Sequence, residues 1–168
     1  YLSDFWEYDP SLDTWTSLAA YPGGGRSWPA GFCINGKIYI GTGNNNDGTN
    51  NASSDFWEYD PGSDSWASVA SVPGNSRDAS GFVLGNEGYI CLGMEGSSSS
   101  ENNLWMYNPG SNSWTAEAAY GAGKANSGVG FVIGNNAYVG TGFDSALATS
   151  SQFWEYTMIP VQCNNWIK

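Results

Sequence analysis

Three of the five basic residues in this sequence, Arg26, Arg77 and Lys124, fall just ahead of a recurring Gly-Phe pair, at distances of five, four and six residues. Cations spaced in this way either clamp a neighbouring carboxylate or backbone carbonyl, or form a collar that holds an acidic ligand group. Both readings stand at this stage. Trp28 lies beside Arg26 and has no counterpart in the later copies of its segment, so its indole either stacks on a sugar or plugs a structural junction. Asn45, Asp47 and Gly48 echo a calcium loop, but the acidic first and twelfth positions are missing, and no metal site is expected. Arg26, Trp28, Arg77, Lys124, Asn45 and Asp47 are therefore the candidate ligand-binding residues.

Other chemistry is harder to place. The chain has no histidine, which rules out a Ser-His-Asp arrangement and the usual zinc hydrolase sites. Glu7, Glu58 and Glu155 share one repeated slot, with Met106 in the third copy. A catalytic residue is normally unique, so this slot reads as a hydrogen bond or ion pair between neighbouring repeats, worth little unless desolvated. Cys33 fills a place held elsewhere by Val83 and Val132, and reads as a small core residue. Cys91 stands where Gly41 and Gly140 stand, and also reads as packing. Together with Cys163 these thiols have no metal-binding spacing and cannot all pair within the chain. No catalytic residue is assigned, no cofactor is expected, and an enzyme is not expected.

A formal charge of −11, from 16 acidic and 5 basic residues, repels phosphate backbones and anionic membrane surfaces. No apolar run approaches a spanning helix, so neither nucleic acid nor membrane insertion is expected.

The elements that hold these residues come from repetition. DFWEYDPSLDTW starts at Asp4, DFWEYDPGSDSW at Asp55 and NLWMYNPGSNSW at Asn103, with a truncated QFWEY from Gln152, at spacings of 51, 48 and 49 residues. Between them recur GFCINGKIYIGTG from Gly31, GFVLGNEGYICLG from Gly81 and GFVIGNNAYVGTG from Gly130. The second block predicts a hairpin turning at Asn35-Gly36 and its equivalents. The first predicts two more strands, joined by a turn that Asp9-Pro10 opens. Each unit is thus four short antiparallel strands. Strand segments apolar on successive residues, such as Phe32-Cys33-Ile34, need cover on both faces, and radial stacking of sheets supplies it. The recurring tryptophans (Trp6, Trp57, Trp105 and Trp154, then Trp15, Trp66 and Trp114) are expected to form the packing between sheets.

The Gly-Thr-Gly strand ends, the Trp-Glu-Tyr-Asp-Pro strand and the Trp seven residues after its Tyr resemble kelch repeats, in a variant similar to the central domain of galactose oxidase and its secreted bacterial relatives. The resemblance fades after Tyr156. It implies an all-β chain of kelch-type β-propeller blades, about three of them, completed by further repeats or by another copy. It does not bring the copper site of galactose oxidase, whose imidazole ligands are absent. Enzymes that mutarotate sialic acid share such rings, but no motif of theirs is matched here.

The organisation expected is a kelch region over 1–168: a partial blade 1–21, blades 22–72 and 73–120, and a partial blade 121–168. The chain opens without Met in mid-repeat, as a piece of something larger would. The loops from the second to the third strand of each unit, Asn44–Ser54, Met94–Asn102 and Phe143–Ser151, vary most, which suits either a recognition surface or solvated spacers. The function expected is a non-catalytic, extracellular binding or adhesion scaffold for protein or glycan. The alternative is a structural subunit that self-associates through blade edges, and a carbohydrate-active enzyme ranks last.

Overall fold

The computed structural model describes residues 1–45, 52–95, 99–157 and 165–167; Asp47 and Cys163 lie outside them. Strands β1 (Phe5–Asp9) and β2 (Thr14–Leu18) form a hairpin. Strands β3 (Ala30–Ile34), β4 (Lys37–Gly41), β5 (Phe56–Asp60) and β6 (Ser65–Val69) pair antiparallel in that order as the first complete blade. The second holds β7 (Ser80–Leu84) and β8 (Glu87–Cys91), then the short loop strands β9 (Met94–Glu95) and β10 (Ser99–Ser100), then β11 (Leu104–Asn108) and β12 (Ser113–Ala116). The third holds β13 (Ala125–Asn126), β14 (Val129–Ile133), β15 (Asn136–Gly140), β16 (Phe143–Asp144), β17 (Phe153–Thr157) and β18 (Asn165–Ile167). Among the described residues every regular element is a strand.

Each blade starts at its innermost strand with a two-residue hairpin. Asn35 and Gly36 take φ of 52° and 77°, the positive pair a type I′ turn demands. The innermost strands β3, β7 and β14 pack side by side, and glycine permits it: a Cβ on Gly81 would strike the carbonyl oxygen of Gly31.

The third sheet corrects one expectation. Residues 121–168 were expected to form a partial blade ending in an atypical tail, but β18 pairs with β17, Tyr156 opposite Trp166, and completes a four-stranded sheet in the order β14-β15-β17-β18. The hairpin β14–β15 is therefore already partnered and is not free to add to another copy's β1–β2.

The dry core also differs from expectation. At the first junction Phe32, Tyr39 and Phe56 of one blade meet Tyr107 and Trp114 of the next, with Tyr39 and Tyr107 centroids 5.5 Å apart and Phe56 and Trp114 5.2 Å apart. At the second, Phe82, Tyr89 and Leu104 face Ala137, Val139 and Tyr156. Tyr59, Tyr107 and Tyr156 are fully buried, whereas Trp57, Trp105, Trp154, Trp66 and Trp114 are only half-buried. An indole N–H gains from an acceptor, which favours the rim, although that of Trp154 is buried without one among the described residues. Trp66 donates to the Ala19 carbonyl at 2.9 Å, and Trp114 to that of Ala70 at 2.8 Å, each in the preceding blade. The same alanines donate their amides to the turn residues Asp64 and Asn112, both at 2.8 Å. On β1–β2, Trp6 and Trp15 are exposed, as are Phe131 and Phe153 on the opposite outer face of the third blade.

The repeated glutamate slot acts within a blade, not between blades. Glu58 accepts from Lys37 Nζ at 2.7 Å and Tyr39 Oη at 2.6 Å, and Glu155 accepts from Asn136 Nδ2 at 2.8 Å. Cys33 is exposed, not a core residue, because its side of β3 faces the two-stranded hairpin β1–β2, which has no inner strands to cover it; its counterparts Val83 and Val132 pack against the preceding blade, and Cys91 is fully buried.

Candidate functional site

The connections that enter each innermost strand and the loops from second to third strand interlock at one end of the molecule. Ser27 pairs with Asn44, Arg77 with Met94, and β13 with β16. Neighbouring blades are stitched there too, by Gly43 N donating to Ser76 O at 2.7 Å and Gly93 N to Ala125 O at 3.1 Å. Three residues step around the centre of this face. The Asp78 amide donates to the Trp28 carbonyl at 3.3 Å, and the Ser127 amide to the Asp78 carbonyl at 2.9 Å. All three adopt left-handed backbone, with φ of 53°, 57° and 53°, which costs a side-chain-bearing residue energy and lifts each away from its strand.

The three expected cations occupy three different environments. Arg26 is buried: its guanidinium makes a two-point ion pair with Asp55 at 2.7 and 3.0 Å and donates to the carbonyls of Thr42 and Gly23 at 2.6 and 2.7 Å. It also lies 5.4 Å from the centre of the Tyr21 ring. This is a clamp beneath the face. Lys124 is half-exposed, with Nζ 3.7 Å from Glu101. Arg77 alone reaches the face, its guanidinium 5.5 Å from the centre of the Trp28 indole. A collar of three cations therefore does not form. A one-residue change in spacing turns a side chain to the opposite side of an extended segment, and the spacings of Arg26 and Arg77 differ by one residue.

What the face does assemble is Trp28, Arg77 and Asp78. The indole is half-exposed, at 52%. The Arg77 Nε is buried and has no hydrogen-bond partner among the described residues. Burial raises the Asp78 carboxyl above its ordinary value, against the opposing pull of the Arg77 charge. A flat apolar surface, a guanidinium and a carboxyl made more basic by burial thus share one mouth. Asp78 escaped the sequence reading; the signal was available, because the slot three residues before Gly-Phe holds Trp28, Asp78 and Ser127, all different among repeated neighbours. Asn45 follows the buried Asn44 at the start of a second-to-third-strand loop. Among the described residues no three acidic or sulfur side chains converge as metal ligands would.

The sheets and their radial stacking define a kelch-type β-propeller region. The solved structure of YjhT superposes with a TM-score of 0.86 at 16% identity, covering 98% of this chain and 58% of that one, a likeness of fold. No family model matches the chain. N-acetylneuraminate epimerases of Shigella sonnei (strain Ss046) and Escherichia coli (strain K12) are each 32% identical over 83 residues, 48% of this chain and 23% of the relative. The match thus spans less than a quarter of those proteins' length. Relatives named as enzymes overturn the expectation of a non-catalytic binding or adhesion scaffold, with its structural-subunit alternative, and the expectation that no enzyme is involved. The physical reason for the error is plain. Residues that recur in every blade report the shared fold, and what separates an enzyme from a scaffold lies in the positions that do not recur.

Proposed function

We propose that these blades belong to a propeller enzyme that epimerises an acidic sugar, with Trp28, Arg77 and Asp78 at its site. The observation that carries the reading is the shared sequence with N-acetylneuraminate epimerases. The site chemistry supports it. A guanidinium suits a sugar carboxylate through two parallel hydrogen bonds, and an indole suits the apolar face of a pyranose. Epimerisation at a hemiketal carbon opens the ring as the ring oxygen gains a proton and the hydroxyl loses one, then reverses these transfers on the other face. A carboxyl whose pKa is raised by burial holds its proton to higher pH than an ordinary carboxylate, which suits such proton exchange. Action outside the cytoplasm, in the manner of galactose-oxidase-like secreted proteins, belongs to the same proposal, supported by the low Lys and Arg content of 5 residues.

The test follows N-acetylneuraminate by proton NMR as the protein restores the equilibrium between its anomers. Arg77→Ala and Asp78→Asn are each expected to slow this by about 100-fold or more. Full activity in both variants would remove the site, and no acceleration by the unaltered protein would remove the function.

A further inference from the structure

The blade junctions differ in one buried slot. Backbone bonding fixes the correspondence: the amides of Arg26, Ser76 and Ala125 donate to the carbonyls of Leu2, Ser53 and Glu101, so these three residues occupy one structural position. Likewise Thr42 and Leu92 donate to the carbonyls of Asp55 and Asn103. In the first of these junctions the Arg26 side chain fills the space between the connection and the blade, satisfied by Asp55 and by the carbonyls of Gly23 and Thr42. In the second, Ser76 replaces the arginine and Asn103 the aspartate, and the space is not filled. A narrow cleft of about 30 Å³ opens there, lined by Gly74, Ser76, Leu92 and Asn103, the counterparts of Arg26 and its partners. Ser76 Oγ is buried without a hydrogen-bond partner among the described residues. Glu95 and Glu101 stand at the same cleft, and Glu101 accepts from Asn103 Nδ2 at 3.4 Å while Lys124 Nζ lies 3.7 Å from it on its exposed side.

We infer that this cleft binds a guanidinium group brought from outside the blade, in the place that Arg26 fills from within at the junction before. The volume exceeds the room one water needs. The walls place Leu92 and Asn103 where Thr42 and Asp55 hold a planar cation in the preceding junction, and the charge of the two glutamates and of the chain as a whole, −11, favours a cation. Asn103 in place of Asp55 removes the two-point carboxylate clamp that fixes Arg26, so the group is held reversibly. The inference is independent of the reading of the loop face.

Methylguanidinium is the probe, with the neutral methylurea of similar shape as control, each titrated into the protein and followed by amide NMR. Saturable shifts at residues 74–76, 92 and 101–103, with methylurea at least tenfold weaker, are expected. The double variant Ser76→Arg/Asn103→Asp supplies the cation internally and should abolish them; Glu101→Gln, which leaves the cleft open, should weaken binding about tenfold. Acetyl-arginine methylamide run in parallel separates sources: tighter binding than methylguanidinium assigns an arginine side chain, weaker binding a small molecule. Equal shifts from methylurea, absence of saturation, or undiminished binding by the folded double variant would overturn the inference.

Discussion

Cys91 stands directly across the strand pair from Leu104, where the other two blades set Gly41 opposite Phe56 and Gly140 opposite Phe153. The exchange is reciprocal. A Cβ on Gly41 would collide with the Phe56 ring, and one on Gly140 with that of Phe153. The smaller Leu104 makes room for a thiol.

Leu104→Phe is therefore expected to destabilise the protein by about 1–3 kcal/mol through overpacking against Cys91. Cys91→Gly added to it should recover most of the loss. Urea denaturation of the two single variants and the double variant measures the coupling, which would be near zero if the pair were independent.

Trp66 and Asp64 together hold both backbone groups of Ala19 in the preceding blade. Trp66→Phe removes the donor to a carbonyl at a blade junction and should cost about 1–2 kcal/mol. Trp15→Phe, at the corresponding place on the exposed hairpin, has no such junction to lose and should change stability by less than about 0.5 kcal/mol. Equal effects in chemical denaturation would argue against the rim hydrogen bond as the device that sets blade spacing.

Burial opposes ionisation of Asp55, but its bonds to Arg26, with lesser help from Trp57 and Tyr21, prevail and hold its carboxyl below the usual range. A depressed folded value means the contribution is complete above the unfolded pKa of about 3.9 and is lost as pH falls through the folded one. The melting temperature of the unaltered protein should drop steeply below about pH 4. Asp55→Asn should lie lower at neutral pH and show a shallower acid slope, and an unchanged slope would dismiss the ion pair as a source of acid sensitivity.

Burial raises the Cys91 thiol far above its ordinary value and leaves it no exposed surface, whereas Cys33 is exposed. A thiol-specific reagent at pH 8 should modify Cys33 in the folded protein within minutes and spare Cys91 until denaturant is added. Peptide mapping after timed quenching reads this directly; early modification of Cys91 would show the second blade to be open.

Much of the architecture is legible in residue order, because each strand carries a marker that recurs: Gly-Phe for the innermost, Trp-Glu-Tyr for the third, Trp for the fourth. The fourth strand of the last blade, β18, is hidden because Trp166 follows Tyr156 by ten residues, against seven in the other copies, and no Asp-Pro or Asn-Pro turn precedes it. The buried positions are less legible. Tyr59 and Trp57 alternate with other residues in one strand with equal hydrophobic promise, and the bond from the Trp57 indole to Asp55 at the strand's end, invisible to local pattern, holds the tryptophan at the rim. The site is the least legible part. The three cations look equivalent by count, yet Arg26 turns inward to Asp55 while Arg77 reaches Trp28, a distinction set by backbone pairing beyond the reach of local spacing.

The two outer faces are halves of one joint. Phe131, Tyr138 and Phe153 hold the places that Phe32, Tyr39 and Phe56 hold at the first junction, and Tyr8 and Trp15 hold those of Tyr107 and Trp114. Each end thus repeats one side of an internal joint with its aromatic rings uncovered, so a dye that brightens on apolar surface should light up on this protein before any denaturant is added.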